Sequence, residues 1–144
     1  MSLGAVCNRE VTIARATESL HTAAELMRAG RVGSIVVCEE DGGSKRRPIG
    51  VLTDRDVVMA LLQHSKGLGE LLIGQAMTRN PLLLHDEDEV EEAIERLRER
   101  AVRRAPVVDA HGSLIGIVSS DDLLELIAEE LDAIARLIRR QRPA

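Results

Sequence analysis

The chain contains the stretch GVLTDRD at residues 50–56 and a second version of it, GIVSSDD, at residues 116–122. In both versions a glycine and two apolar residues lead to Thr or Ser, and an aspartate follows three positions later. An apolar run that ends in a hydroxyl residue predicts a strand whose last residue caps the following helix. The same strand-to-helix corner is therefore predicted twice.

The repetition extends over most of the chain. An offset of 70 residues aligns Gly4 with Gly74 and Ala23 with Ala93, and an offset of 66 aligns the two corners. The offset changes because the first copy has four extra residues in the Gly-rich, basic loop around residues 41–48, and loops tolerate insertions. Hydrophobic spacing predicts the order β-α-β-β-α in both copies. We expect an α+β fold in which two repeats pack face to face, because neither copy covers its own sheet well.

These patterns divide the chain into four segments. The first repeat is expected over residues 7–64 and the second over residues 77–130. Between them, residues 65–76 are expected to form a linker helix. Residues 131–144 are expected to be a C-terminal helical extension, because apolar residues keep helical spacing beyond the second repeat.

The corner has two compatible interpretations. As a structural element, Thr53 and Ser119 cap their helices, and the following aspartates complete something like a capping box. As a binding element, the helix start presents free backbone N–H groups and a positive dipole end, which suit a phosphate. Asp56 or Asp122 can then accept two hydroxyl hydrogen bonds, as a ribose requires. A single copy favours capping, whereas the recurrence in one structural context favours binding.

Three segments, in this order and spacing, resemble the CBS-domain family. They are GVLTDRDVV at residues 50–58, AMTRNP at residues 76–81 and VRRAPVVD at residues 102–109, and residues 116–122 repeat the first of them. The resemblance covers the chain from about residue 7 to residue 130. It implies a tandem CBS-domain pair, often called a Bateman module, that catalyses nothing. Its clefts would bind AMP, ADP, ATP or a related adenosine compound as a regulatory ligand, with no obligatory cofactor.

The resemblance also implies two sites, each mixing segments of both repeats. Asp56 and Asp122 would hold ribose hydroxyls, with Thr53 and Ser119 near the ribose or a phosphate. The Asp122 site would be completed by Thr12 and residues 32–35, that is by Thr12, Val32, Ser34 and Ile35. The Asp56 site would be completed by Thr78, Pro81 and residues 103–106, chiefly Arg103, Arg104 and Ala105. Arg103 or Arg104 would neutralise a phosphate, and Arg55 is a further candidate for that role.

Two features depart from the family pattern. Many members stack adenine on an aromatic residue, and this chain contains no Phe, Tyr or Trp. Aliphatic walls would have to serve instead: Val32, Ile35, Val102 and Ala105. The first repeat also has Gly33-Ser34 where the second has Arg103-Arg104. The Asp122 site is therefore expected to hold a less charged ligand or to stay empty.

Composition argues against other classes of function. A net charge of −5 without aromatic residues disfavours nucleic-acid binding, which needs phosphate neutralisation and stacking platforms. The four histidines are scattered, and no HExxH motif, nucleophile elbow or Walker-type loop is present, so no catalysis is predicted. Cys7 and Cys38 fit neither a disulfide framework nor a zinc site, and no metal is expected. With no signal peptide and no membrane-spanning run, a cytoplasmic protein is predicted.

A ligand-free interaction or dimerisation module of the same fold is the alternative. The closing helix of the second repeat carries an apolar stripe at helical spacing: Leu123, Ile127, Leu131, Ile134 and Ile138. The stripe is longer than the corresponding helix of the first repeat, and such a stripe usually docks on another surface. A homodimer is therefore predicted, while the sequence names no regulated partner.

Overall fold

A computed structural model describes residues 1–40 and 45–141 of the chain. The extra loop of the first repeat, predicted around residues 41–48, lies partly outside the described residues, and residues 142–144 of the expected C-terminal extension lie outside them as well. The described part consists of two small sheets with helices packed on them. None of its helices is long and apolar enough to cross a membrane.

The first repeat has the predicted β-α-β-β-α order, preceded by one short helix. Its elements are α1 (Leu3–Val6), β1 (Ile13–Ala14), α2 (Leu20–Gly30), β2 (Ser34–Glu40), β3 (Arg46–Thr53) and α3 (Asp54–Gln63). β1 is parallel to β2, and β2 is antiparallel to β3. Helical spacing places Leu20, Ala23 and Met27 on one face of α2, where they pack against Ile35 and Leu52 of the sheet.

The second repeat has the same order and is preceded by a helix and a short strand. Its elements are α4 (Ile73–Ala76), β4 (Thr78–Arg79), β5 (Leu84–His85), α5 (Val90–Arg100), β6 (Arg104–Val108), β7 (Leu114–Ser119) and α6 (Ser120–Gln141). β5 is parallel to β6, and β6 is antiparallel to β7. Val90, Ala93 and Leu97 of α5 pack with Val107 and Val118 in a second core.

The segment before the first repeat packs on the second repeat. Leu3 of α1 is fully buried in the second core. Its backbone N–H donates to the carbonyl of Asp88 at 2.9 Å, where the chain approaches α5. Asn8 and Ile117 then exchange two backbone hydrogen bonds of 2.9 and 2.8 Å, which adds Asn8 to the edge of β7. The second sheet is therefore completed by residues that precede the first repeat.

The reciprocal exchange occurs at the start of the second repeat. Ile73 of α4 is fully buried in the first core, and its N–H donates to the carbonyl of Glu18 at 2.8 Å. β4 pairs antiparallel with β3, with Val51 opposite Thr78, so the first sheet has the order β1-β2-β3-β4. Each repeat is therefore completed by the segment that leads into the other one.

This exchange changes the expected segment boundaries. The first repeat, expected from residue 7, is preceded by α1, which belongs to the folded unit because Leu3 is buried. The linker helix expected over residues 65–76 is helical only over Ile73–Ala76, and two glycines, Gly67 and Gly69, disfavour helix before it. α6 runs without a break into the residues expected to extend it.

We expect the substitution Gly116→Ala to destabilise the fold because it would disturb the exchange. A Cβ atom at this position would lie 2.6 Å from Cys7 Sγ and 2.7 Å from the backbone carbonyl oxygen of Asn8. Overpacking of this kind costs about 1–3 kcal/mol. Chemical unfolding followed by circular dichroism would measure the loss. Gly67→Ala is the matched control, since a Cβ atom there would meet nothing within 4 Å beyond its chain neighbours; equal stability of the two variants would contradict the packing described.

Burial raises the pKa of the Cys38 thiol to about 11, and this outweighs the opposite effect of the Arg46 charge. In the unfolded chain the thiol ionises near its ordinary value of 9.0. Between these two values the unfolded state binds fewer protons than the folded state, so stability should fall as pH rises from 9 to 11. The chain has no Tyr and only two lysines. Burial also raises the pKa of the Cys7 thiol, so Cys7 should contribute to the same fall.

Unfolding experiments from pH 8 to pH 11 would measure this fall, and Cys38→Ala should make it smaller. A slope that is unchanged in Cys38→Ala would show that another group causes it.

Candidate ligand-binding clefts

Two cavities open where the repeats meet, one beside each strand-to-helix corner. The strands that lead into the corners, β3 and β7, contact each other across the boundary between the repeats. The cavity lined by Asp56, here called the Asp56 cleft, has a volume of about 440 Å³. The cavity lined by Asp122, here called the Asp122 cleft, has a volume of about 210 Å³. Both aspartates therefore face an opening between the repeats.

The Asp56 cleft brings together segments from both repeats. β3 and α3 of the first repeat form one side, and the residues around β4 and at the start of β6 form the other. With the exceptions of Ala105 and Pro106, the residues expected at this site line it: Thr53, Arg55, Asp56, Thr78, Pro81, Arg103 and Arg104, together with the expected wall residue Val102.

The Asp122 cleft combines the second corner with the start of β2 and the residues before β1. Its lining includes the expected Thr12, Val32, Ser34, Ser119 and Asp122, together with Arg104.

Two expected wall residues line neither cleft. Ile35 and Ala105 are 0% and 1% exposed and belong to the two hydrophobic cores. The reason is strand geometry, because successive side chains point to opposite faces of a sheet. Since Ser34 and Arg104 face the clefts, the residues that follow them face the helices.

The first corner forms a complete capping box. The Thr53 hydroxyl accepts a hydrogen bond from the Asp56 N–H at 3.2 Å, and Asp56 Oδ2 accepts one from the Thr53 N–H at 2.8 Å. At the second corner Ser119 Oγ accepts from the Asp122 N–H at 3.1 Å. The Asp122 carboxylate accepts no hydrogen bond from residues 1–40 or 45–141. Both carboxylate oxygens of Asp122 and one of Asp56 thus remain available to a ligand.

The helix start of α3 does not offer the free backbone N–H groups that the sequence led us to expect. The Asp54 N–H donates to the Gly33 carbonyl at 3.0 Å, the Arg55 N–H donates to Asp54 Oδ1 at 2.9 Å, and the Asp56 N–H is used by the cap. In α6 the Ser120 N–H likewise donates to the Arg103 carbonyl at 2.7 Å. At each corner the residue before the adjacent strand, Gly33 or Arg103, supplies a carbonyl for the first N–H, and in α3 side-chain oxygens of Asp54 and Thr53 occupy the next two. A phosphate would have to be neutralised by side chains.

The two clefts differ in charge. The Asp56 cleft is lined by four arginines and two aspartates. The arginines are Arg55, Arg100, Arg103 and Arg104, and the aspartates are Asp54 and Asp56. One arginine lines the Asp122 cleft, against the two carboxylates of Glu10 and Asp122. The Asp56 cleft therefore favours an anion, and the Asp122 cleft does not.

Sequence reasoning missed several lining residues. Arg100 ends α5 and donates from Nη2 to the Asn80 carbonyl at 2.9 Å, beside the Asp56 cleft. The sequence contains a signal for Arg100. The offset of 70 aligns Gly30 with Arg100, just as it aligns Gly33 with Arg103, so both arginines are charges that the second repeat has and the first repeat lacks. The Asp122 cleft also includes Asn8 and Val11, which the same offset aligns with the expected Thr78 and Pro81.

No metal centre is apparent in the described ranges. Within residues 1–40 and 45–141, His, Cys, Asp and Glu side chains form no group of three or more that could hold a metal ion. His21, for example, contacts Glu25 on the exposed face of α2, with Nε2 and Oε1 3.1 Å apart.

Known proteins share this architecture. The CBS domain pair of protein MJ0100, in complex with 5′-methylthioadenosine and S-adenosyl-L-methionine, has a TM-score of 0.77 and 23% identity, covering 90% of this chain and 98% of that one. CBSX2 of Arabidopsis thaliana in complex with AMP has a TM-score of 0.72 and 26% identity, covering 89% of this chain and 96% of the other. At 23% identity, the likeness to the MJ0100 pair shows that the two proteins share a fold.

Sequence comparison agrees with the fold. An uncharacterised protein of Methanopyrus kandleri, MK0525, is 33% identical over 126 residues, which are 88% of this chain and 62% of that protein. This chain thus spans somewhat less than two thirds of that relative. The family model of the CBS domain matches residues 3–63 and 73–129, so each match begins at the exchanged helix, α1 or α4. The chain belongs to the CBS domain family, as a tandem pair of CBS domains.

Proposed function

We propose that this chain is a non-catalytic regulatory module that binds adenine nucleotides (AMP, ADP or ATP) or a related adenosine compound between its repeats. The observation that carries the proposal is the placement of Asp56 and Asp122, which occupy matching corners and line two cavities built from both repeats. The adenosine compounds bound by the MJ0100 pair and by CBSX2 support the ligand class.

The aspartates are suited to hold a ribose. A carboxylate can accept hydrogen bonds from two neighbouring hydroxyls, which a ribose supplies at its 2′ and 3′ positions. Asp122 keeps both oxygens for this purpose, while Asp56 keeps one and fixes its orientation with the other through the capping box. Capping and ribose binding thus use different atoms of the same corner.

The adenine would contact aliphatic walls. Val32 and Val102 occupy equivalent positions in the two repeats, line different clefts, and remain 38% and 41% exposed. Pro81 and Leu82 add apolar surface to the Asp56 cleft. A base placed against these residues would remove apolar surface from water, at about 25 cal/mol per Å².

Phosphate recognition would fall to the arginines of the Asp56 cleft. Guanidinium groups bind phosphate oxygens in pairs, and this cleft has an excess of arginines over aspartates. The Asp122 cleft lacks that excess and suits an adenosine compound without phosphates. Ligand binding would then favour one relative pose of the two repeats, a population shift that a partner protein can detect.

We expect AMP or ADP to raise the melting temperature, since a ligand that binds only the folded state stabilises it. The double substitution Asp56→Ala and Asp122→Ala should abolish the increase. Differential scanning calorimetry is the appropriate measurement, because the chain has no Trp or Tyr for intrinsic fluorescence.

The control is Ser19→Ala, which removes the cap of α2 (Ser19 Oγ to the Thr22 N–H, 3.1 Å) away from both clefts. It should lower stability by about 1 kcal/mol and leave the ligand-induced increase unchanged. If the double variant kept the full increase, the aspartates would be helix caps alone and their proposed contacts with the ribose would fail. If AMP and ADP left the melting temperature of the unsubstituted protein unchanged, the nucleotide proposal itself would fail.

A second observation, the exposed apolar surface of α6, favours a second copy of this chain as the partner. α6 has 22 residues, against 10 in α3, and its outer half carries apolar side chains that are more than half exposed: Leu131, Ile134, Leu137 and Ile138. An exposed stripe of this length marks an association surface. This surface supports the alternative function as well, an interaction module that needs no ligand.

We expect light scattering at micromolar concentration to give the mass of two chains, about twice 15.7 kDa. The double substitution Leu131→Glu and Ile134→Glu should yield a folded monomer, because charges would replace the centre of the stripe. Glu129→Gln, on the polar face of the same helix, should remain dimeric. A monomer before any substitution would refute the dimer.

A further inference from the structure

Arg104 lies between the two clefts and lines both of them. It is the first residue of β6, where it pairs in register with Ser119 of the Asp122 cleft. Its Nη1 reaches into the first repeat and donates to Ser34 Oγ at 2.8 Å. Ser34 in turn pairs in register with Thr53, the cap residue of the Asp56 cleft. The guanidinium therefore lies within reach of both corners.

The position of Arg104 is unsymmetrical in an otherwise repeated structure. The offset of 70 residues places Ser34 at the position in the first repeat that Arg104 occupies in the second. The hydrogen bond between them thus joins equivalent positions, and only one of the two carries a charge. Within the described residues, Ser34 is the one hydrogen-bond partner of the Arg104 side chain. Its other N–H groups are free to bind an anion on either side.

The two clefts depend on this guanidinium to different degrees. The Asp56 cleft has three further arginines, whereas Arg104 is the only basic residue in the lining of the Asp122 cleft among the described residues. When Arg104 turns toward the Asp56 cleft, Glu10 and Asp122 remain on the other side without a compensating positive charge. An anion would then meet like charge in the Asp122 cleft.

We propose that Arg104 is a specificity residue shared by the two clefts, so that only one cleft at a time can bind a phosphorylated ligand with its help. An anion in the Asp56 cleft recruits Arg104 and weakens anion binding in the Asp122 cleft, and the effect is reciprocal. A ligand without phosphates does not compete for the guanidinium, so its binding in one cleft leaves the other unchanged. This inference rests on the proposed nucleotide binding.

Calorimetric titration with ADP and with adenosine tests the competition. Asp56→Ala disables the Asp56 cleft and leaves Arg104 to the Asp122 cleft. The Asp122 cleft of this variant should bind ADP about tenfold more tightly than the weaker site of the unsubstituted protein, the difference that one charge-assisted contact makes. Adenosine should bind the Asp122 cleft equally well in both proteins.

The same comparison is then made in two further backgrounds. With Arg104→Gln, adding Asp56→Ala should no longer change ADP affinity at the Asp122 cleft. With Arg103→Gln, the tenfold difference should persist, because Arg103 lines only the Asp56 cleft of the two. Persistence of the difference in Arg104→Gln, or an equal difference with adenosine, would overturn the inference.

Failure of the underlying proposal has a different signature. If neither ADP nor adenosine binds the unsubstituted protein, nucleotide binding and the shared arginine fail together. If both compounds bind and the ADP affinity of the Asp122 cleft does not change with Asp56→Ala, the clefts are independent and only the sharing of Arg104 is refuted.

Discussion

The exchange of leading segments between the repeats is the constraint on which both clefts depend. β3 is bound on one edge by Thr78 and β7 by Asn8, and each partner comes from the segment that leads into the other repeat. The segment around Cys7 and Asn8 lies so close to β7 that Gly116 has no room for a side chain, since a Cβ atom there would lie 2.6 Å from Cys7 Sγ. Separating the repeats would therefore break sheet hydrogen bonds and open both cores. Since β3 and β7 end at the two corners, the exchange fixes the walls of the clefts.

The side chains around the two corners make the clefts different in charge. α2 and α5 end in the same way, with Arg31 and Ala101 in the left-handed conformation at φ of 52° and 53°. The residues around those ends diverge, with Gly30 in one repeat and Arg100 in the other. The duplicated corner thus places an aspartate at an equivalent position in each cleft, while the neighbouring positions give one cleft an excess of positive charge and leave the other slightly acidic.

The sequence predicted the elements well because each has a strong local signal. The order β-α-β-β-α follows from hydrophobic spacing, and the corners follow from Thr53 and Ser119, whose hydroxyls do cap the helices. The cross-repeat composition of the clefts came from the family resemblance. The exchange of α1 and α4 was not predicted, because a four-residue helix has too few positions to reveal which core it enters.

The errors at the site likewise concern tertiary contacts. The Asp54 N–H at the start of α3 looked free because its acceptor, the Gly33 carbonyl, is remote in sequence. Ile35 was misplaced because the face of a short buried strand is ambiguous when both neighbours, here Ser34 and Val36, are small or apolar. Ala105 follows the charged Arg104, so strand alternation could have placed its side chain on the buried face.

The long helix α6 begins beside the Asp122 cleft and extends away from it. Asp122 lies in the first turn of a helix of 22 residues, which at 1.5 Å per residue is about 33 Å long. A ligand held by Asp122 would contact the start of this helix, whose outer half carries the exposed apolar side chains of Leu131, Ile134, Leu137 and Ile138.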